Sequence, residues 1–202
     1  HTLLEGGIDD DAVRRPFLEK AAKNLDRLNT IVEDLEAISR LESGELLLDM
    51  QTFDIKELAQ EVFDDLEFKA QEKNVTLTFK DGAALAYRVR ADRENIRQVL
   101  MNLIHNSIKY GHPGGRTKVG FYDMDRYILI EVADNGIGIS KKHINHVFDR
   151  FYRVDKSRSR AQGGSGLGLS IVKHIIEAHQ QTINVRSTPN LGSTFGFTLE
   201  KA

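Results

Sequence analysis

Between Arg93 and Tyr110 the sequence reads as one helix, and at about 100° per residue its polar side chains fall into a narrow line: Asn95, Gln98, Asn102, Asn106 and Lys109. Ile96, Val99, Leu100, Leu103, Ile104 and Ser107 gather on a separate side. A polar line on a helix is ordinarily a solvated face. Such faces are usually built of Glu, Lys and Arg, however, and Asn costs a helix roughly 0.6 kcal/mol relative to Ala. Amide carbonyls are oxygen ligands of the kind that Mg²⁺ accepts, since it keeps most of its waters and uses few protein groups. A Lys in the same line suits a phosphate.

Two further stretches have residue types suited to chemistry. Asp134-Asn135-Gly136-Ile137-Gly138 follows a predicted strand, Tyr127–Ala133. Asn-Gly is a strong hairpin signal, but Ser140 and then Lys141-Lys142-His143 read as an N-cap and a helix start rather than a second strand. Asp at a strand end followed by two glycines offers a carboxylate acceptor and room for a flat ligand, and a purine amino group is a natural donor to it. The run Gly163-Gly164-Ser165-Gly166-Leu167-Gly168-Leu169-Ser170 opens a predicted helix. It suits either a flexible linker or an anion site, because free N–H groups and the positive end of the helix dipole favour phosphate. It lacks the Gly-Lys-Ser/Thr ending of a P-loop, and no strand precedes it as a dinucleotide fingerprint requires. Arg153, Lys156, Arg158 and Arg160 stand just before it, solvated charges in a loop unless a phosphate binds beside them. His143 and His146 read as surface histidines, and His105, His174 and His179 form no constellation.

These candidates need a scaffold. Val13 to Glu42 reads as a long helix with Leu18, Leu25 and Val32 recurring at seven and Ala21, Leu28 and Leu35 recurring at seven between them. Phe17, Ile31 and Ile38 widen the stripe, which fits a helix of a bundle better than a strict two-stranded coiled coil. One such helix cannot bury its own stripe, so either docking on the rest of the chain or self-association is expected. After Ser43-Gly44, an α+β pattern begins. Strands are predicted at 46–53, 75–79, 87–91, 117–122, 127–133, 182–187 and 193–199, and helices at 55–73, 93–110, 141–151 and 167–178. The segment 153–164 reads as a loop.

Composition removes several alternatives. With no Cys in 202 residues there is no disulfide framework, no Cys-ligated metal and no cysteine nucleophile. A net charge of −2 gives no global reason to expect nucleic acid or an anionic membrane as partner. No apolar run approaches about 18 residues, and no signal-peptide pattern opens the chain. Of the 16 Gly, 12 lie from Gly111 onward, so the glycines concentrate around the candidate motifs.

The three motifs in this order resemble those of the ATP-binding domain of sensor histidine kinases, within the gyrase/heat-shock-chaperone/MutL ATPase superfamily. Arg97 to Tyr110 is similar to the family's N box, and Asp134 to Ile139 to its first glycine box. Val147-Phe148-Asp149-Arg150-Phe151-Tyr152-Arg153 resembles the F box, and Gly164 to Leu169 the second glycine box. Gly192-Ser193-Thr194-Phe195 resembles the strand that supports the adenine pocket. The resemblance implies a two-layer α+β sandwich over about residues 46–202, with a mixed sheet covered by helices on one face. Residues 1–45 would be part of an antiparallel dimerisation hairpin.

The same resemblance implies roles. Asp134 would accept the adenine amino group with Thr194 behind it, and Gly136, Gly138 and Ile139 would line that pocket. Asn106, assisted by Asn102, would ligate Mg²⁺; Lys109 and Tyr110 would face the phosphates. Phe151, Tyr152 and Arg153 would approach the nucleotide, Arg153 nearest the γ-phosphate. Gly164, Ser165, Gly166, Leu167 and Gly168 would close over the triphosphate. The implied reaction moves the γ-phosphoryl group of ATP to a histidine, for relay to a response regulator receiver domain. A homodimer is implied, with the whole sensor anchored in a bacterial inner membrane and this portion in the cytoplasm.

The family's His-Glu-x-x-x-Thr-Pro acceptor stretch is missing from these residues, and the chain starts at His1 without Met. The acceptor is therefore expected in a segment upstream, and the fragment is expected to bind ATP without labelling itself. Ser107 stands where the family usually has Ala. Two alternatives are a hydrolase of the superfamily and a nucleotide-binding scaffold without catalysis. The hydrolases place a Glu one turn before the metal-binding Asn, and here that position is Asn102. The retained boxes count against the scaffold.

Overall fold

The computed structural model describes residues 11–42, 48–80, 87–154 and 165–202. Among them the chain order is α1 (Asp11–Glu42), β1 (Met50–Asp54), α2 (Ile55–Glu72), β2 (Thr76–Phe79), β3 (Arg88–Asp92) and α3 (Arg93–Tyr110), followed by β4 (Arg116–Met124) and β5 (Tyr127–Asp134). Then come α4 (Lys141–Ile144), α5 (Gly168–Ala178), β6 (Ile183–Thr188) and β7 (Gly192–Lys201).

The strands form one sheet in the order β1-β3-β7-β5-β4-β2, with β6 also paired to β7. Only β2 and β4 are described as parallel, so the sheet is mixed as expected. Period-two alternation tells the two faces apart. Phe195, Phe197 and Leu199 of β7 and Ile128, Ile130 and Val132 of β5 are buried, and they meet the helices. On α3, Ile96, Val99, Leu100, Leu103 and Ile104 are buried, as the helical period predicts. Each such side chain contributes about 1.5–3 kcal/mol by leaving water.

Two aspartates start the helices. Asp54 accepts the Lys56 N–H at 2.8 Å to cap α2, and Asp92 accepts the Asn95 N–H at 3.0 Å to cap α3. Asp92 also takes the Asp49 N–H at 3.1 Å, and its own N–H donates to Nε2 of buried His179 at 3.0 Å. His179, unassigned in the sequence, thus ties the end of α5 to the start of α3.

On the other face of the sheet, Glu131 is buried beneath two cations. Lys80 Nζ donates to it at 2.9 Å and Arg186 pairs with its second oxygen. Gly120 and Gly196 flank Glu131 in register on either side.

Two predicted elements change. The strand expected from 46 begins at Met50, residues 46–47 lying outside the described part. The helix expected over 141–151 is one turn, Lys141–Ile144. Beyond it the chain runs on in tighter turns, the His146 N–H donating to the His143 carbonyl at 2.9 Å and the Asp149 N–H to the His146 carbonyl at 3.0 Å, and Phe151, with φ 60, donates its N–H to the Gly166 carbonyl at 3.0 Å. A residue in the left-handed region cannot continue a right-handed helix. On α1, Phe17, Leu18, Leu25, Leu28, Val32 and Leu35 of the predicted stripe are exposed.

Candidate functional site

Asp134 is the last residue of β5, and its side chain shares the helix-covered face with Val132. Two backbone donors converge on one of its oxygens: Gly136 N–H at 2.8 Å and Ser193 N–H at 3.3 Å both reach Oδ1. Neither donor takes Oδ2. Burial pushes the Asp134 pKa above 3.8, against the opposing pull of those two N–H groups and of nearby His112.

The loop after Asp134 is held from two sides. Ile137 donates its N–H to the Tyr110 carbonyl at the end of α3, at 3.1 Å, and accepts from the Asn190 N–H at 2.8 Å. Gly138 has φ 65, and a Cβ there would overlap the Thr188 carbonyl, so the predicted glycine is required on both counts. Asn135, which the hairpin reading had in the turn, accepts the Arg116 N–H at 2.7 Å instead.

Asn102, Asn106 and Lys109 occupy successive turns of α3, and Tyr110 is its last residue. Asn102 reaches α5: a Cβ on Gly168 would stand 2.7 Å from Asn102 Oδ1. The N box and the second glycine box are therefore in contact. Lys109 Nζ lies over the Tyr110 ring at 5.3 Å. Burial raises the Tyr110 pKa above 10.0, and the neighbouring positive charge of Arg153 works against that rise. Arg153 and Lys109 thus bring two cations to Tyr110. Burial, then Lys69 and Lys109, lower the His105 pKa below 6.5, so His105 adds no charge there at neutral pH.

At the start of α5, Ser165 Oγ accepts the Leu167 N–H at 3.1 Å, and Leu167 precedes Gly168 without a side-chain cap. The first-turn amides of α5 have no intrahelical partners, as at any helix N-terminus. Phe151 bonds Gly166, which seats the F box on this loop. Gly164, with Gly163, Lys156, Arg158 and Arg160, lies outside the described residues.

Two expected residues stand apart. The Tyr152 hydroxyl is 2.6 Å from His143 Nδ1, so Tyr152 turns toward α4. Thr194 is opposite Ala133 in the β5–β7 register and shares its face, away from Asp134. The β7 residue that reaches Asp134 is Ser193, missed in the sequence. The signal was present: counting back by two from Phe197 and Phe195 puts Ser193 inward and Thr194 outward. Ser107 finds a partner that the sequence did not reveal, Thr117, with the two hydroxyls 2.7 Å apart and buried. Among the described residues no group of three or more His, Cys, Asp or Glu could hold a metal.

The carboxylate at the end of β5, the amide-bearing α3 and the glycine-opened start of α5 are thus linked through the Ile137–Tyr110 bond and the Asn102–Gly168 contact. Residues 91–202 match the model of the histidine kinase-, DNA gyrase B- and HSP90-like ATPases, and the chain belongs to that family. Its nearer relatives are sensor histidine kinases. The sensor-like histidine kinase SenX3 of Mycolicibacterium smegmatis is 37% identical over 197 residues, covering 98% of this chain and 50% of the relative. The chain therefore spans about half the length of that relative. The catalytic domain of histidine kinase ThkA is 31% identical with a TM-score of 0.65, covering 76% of this chain and 97% of that one. ThkA in complex with the response regulator protein TrrA is 28% identical with a TM-score of 0.76, covering 100% of this chain and 57% of that one.

Proposed function

We propose that this chain binds Mg-ATP and, in the whole protein, transfers the γ-phosphoryl group to a histidine on a dimerisation helix. The observation that carries the reading is the half-buried Asp134 carboxylate, whose Oδ1 accepts the Gly136 and Ser193 N–H groups, so that Oδ2 would be the oxygen offered to a base. A buried acceptor of this kind matches the amino group of adenine.

The donor set suits a hard cation. Asn106 and Asn102 present amide oxygens on one side of α3, and Mg²⁺ binds through few such groups while keeping waters. When bound, the ion would neutralise charge on the phosphates and hold them in line. The chain's own residues do the rest. The α5 amides and Gly166 to Gly168 would cradle phosphate oxygens, and Lys109 and Arg153 would supply positive charge as the bond to the γ-phosphorus breaks. A histidine nitrogen forms the new P–N bond and ADP leaves.

The exposed stripe on α1 supports self-association as a homodimer. A response regulator receiver domain is the proposed next acceptor, by likeness to the ThkA–TrrA pair. No described helix is long and apolar enough to cross a membrane. Anchoring in an inner membrane, with this portion cytoplasmic, is proposed for the whole sensor. Asn102 favours kinase over hydrolase, because an amide cannot act as the base that activates water.

Calorimetric titration with ADP and ATP, with and without Mg²⁺, tests the reading. Binding of adenine nucleotides, tightened by Mg²⁺ for ATP, is expected. No binding would overturn it.

A further inference from the structure

The first glycine loop and the strand that fixes Asp134 come from distant parts of the chain, yet one hydroxyl joins them. Ser187 on β6 lies opposite Ser193 in the β6–β7 register. Its Oγ accepts the Ile139 N–H at 2.7 Å, donates to the Gly192 carbonyl at 2.8 Å and lies 2.9 Å from Ser193 Oγ. A serine hydroxyl has one proton and two lone pairs. Its proton goes to Gly192, so Ser193 must donate to Ser187, and all three capacities are used.

Each bond holds a different part of the pocket. Ile139 closes the loop that begins at Gly136. Gly192 and Ser193 begin β7, and the Ser193 N–H is one of the two donors on Asp134 Oδ1. The distance between the loop wall and the Asp134 carboxylate therefore depends on Ser187. Asn190, between Ser187 and Gly192, adds its N–H to the Ile137 carbonyl at 2.8 Å on the same wall.

We propose that Ser187 is a positioning residue for purine selectivity, setting the gap in which Asp134 distinguishes a 6-amino from a 6-oxo base. This rests on the adenine-binding reading above. Without the hydroxyl, the Ile139 N–H and the Ser193 O–H both lose an acceptor, and among the described residues the loop keeps only the Asn190–Ile137 and Ser193–Asp134 bonds to this end of the sheet. Deletion of a buried acceptor typically changes an equilibrium by about tenfold or more.

The test compares S187T and S187V, near-isosteres that differ in the hydroxyl and that a strand accepts equally. Dissociation constants for ADP and inosine diphosphate are measured by calorimetry on the 202-residue chain. The unaltered chain is expected to prefer ADP; equal affinity would defeat the Asp134 reading itself. S187T should keep the preference, and S187V should weaken ADP about tenfold and move the ADP-to-inosine diphosphate ratio toward one. An unchanged ratio in S187V, or the same loss in both variants, would overturn the role of Ser187 while leaving Asp134 as the base reader. If S187V does not fold, amide exchange in the unaltered, nucleotide-free chain decides. Protection at Ile139 supports the link, and exchange at the free-peptide rate overturns it.

Discussion

Asn102 and Gly168 meet where α3 approaches the opening of α5 too closely for a methyl group: a Cβ on Gly168 would be 2.7 Å from Asn102 Oδ1. The amide is the movable partner, so Gly168→Ala should be absorbed by a turn of the Asn102 side chain rather than by the backbone. The expected result is a folded protein with a stability change of about 1 kcal/mol or less, since helix propensity gained offsets crowding. Affinity for Mg-ATP should fall several-fold while affinity for metal-free ADP changes little. Denaturant unfolding and calorimetry measure both, and equal losses for the two ligands would separate Asn102 from the metal.

Asp134→Asn makes a sharper prediction, because both backbone N–H groups require an acceptor at the Oδ1 position. The Asn carbonyl must take that place, and its NH₂ then faces the ligand. A donor would confront the adenine amino group but would suit a 6-oxo purine. ATP affinity should drop by about a hundredfold, while inosine or guanosine triphosphate binds better than to the unaltered chain. Unchanged ATP affinity would sink the pocket assignment.

Acidification should act through the same carboxyl. Burial holds its pKa above 3.8, so protonation begins at a higher pH than for an exposed Asp. The proton must settle on Oδ2, which turns the acceptor into a donor. Adenine nucleotide affinity is expected to decline on lowering the pH while still above the ordinary Asp range. A flat affinity profile down to about pH 4 would contradict this.

Stability has its own pH signature at His105. Its folded-state pKa lies below 6.5, chiefly by burial and further by Lys69 and Lys109. The unfolded chain then binds more protons as the pH falls through 6.5, so stability is lost on acidification. Denaturant midpoints at about pH 7.5 and 5.5 should differ less in His105→Gln than in the unaltered chain. An identical difference would assign the loss to other groups.

Asn106→Ala should abolish phosphotransfer to a separately supplied acceptor-helix protein, with metal-free ADP binding retained. Transfer at an undiminished rate, followed with radiolabelled ATP, would remove the proposed metal role.

Much of this arrangement was legible because it follows from local rules. The α3 bounds, Arg93–Tyr110, agree with the predicted helix because a capping Asp precedes it, a Gly ends it and its apolar period is unbroken. The β4–β5 hairpin agreed for similar reasons. What the sequence could not supply were partners far along the chain. Nothing local to Ser187 points to Ile139, and nothing local to Phe151 points to the Gly166 carbonyl. The resemblance implies Thr194 beside Asp134, whereas strand alternation turns Ser193 to that face. Tyr152 was grouped with the nucleotide residues by its neighbours in the motif, while its hydroxyl is committed to His143.

The buried Glu131 beneath Lys80 and Arg186 carries a consequence for how copies of the molecule coexist. Gly120 and Gly196 add no side chains on either side of it, and an uncharged sheet face is a surface on which a second sheet can stack. A carboxylate gripped by two cations keeps that face hydrated. In the proposed homodimer two such faces would be held at high local concentration, and pressing them together would have to strip water from both charged clasps, a desolvation cost that works against face-to-face adhesion.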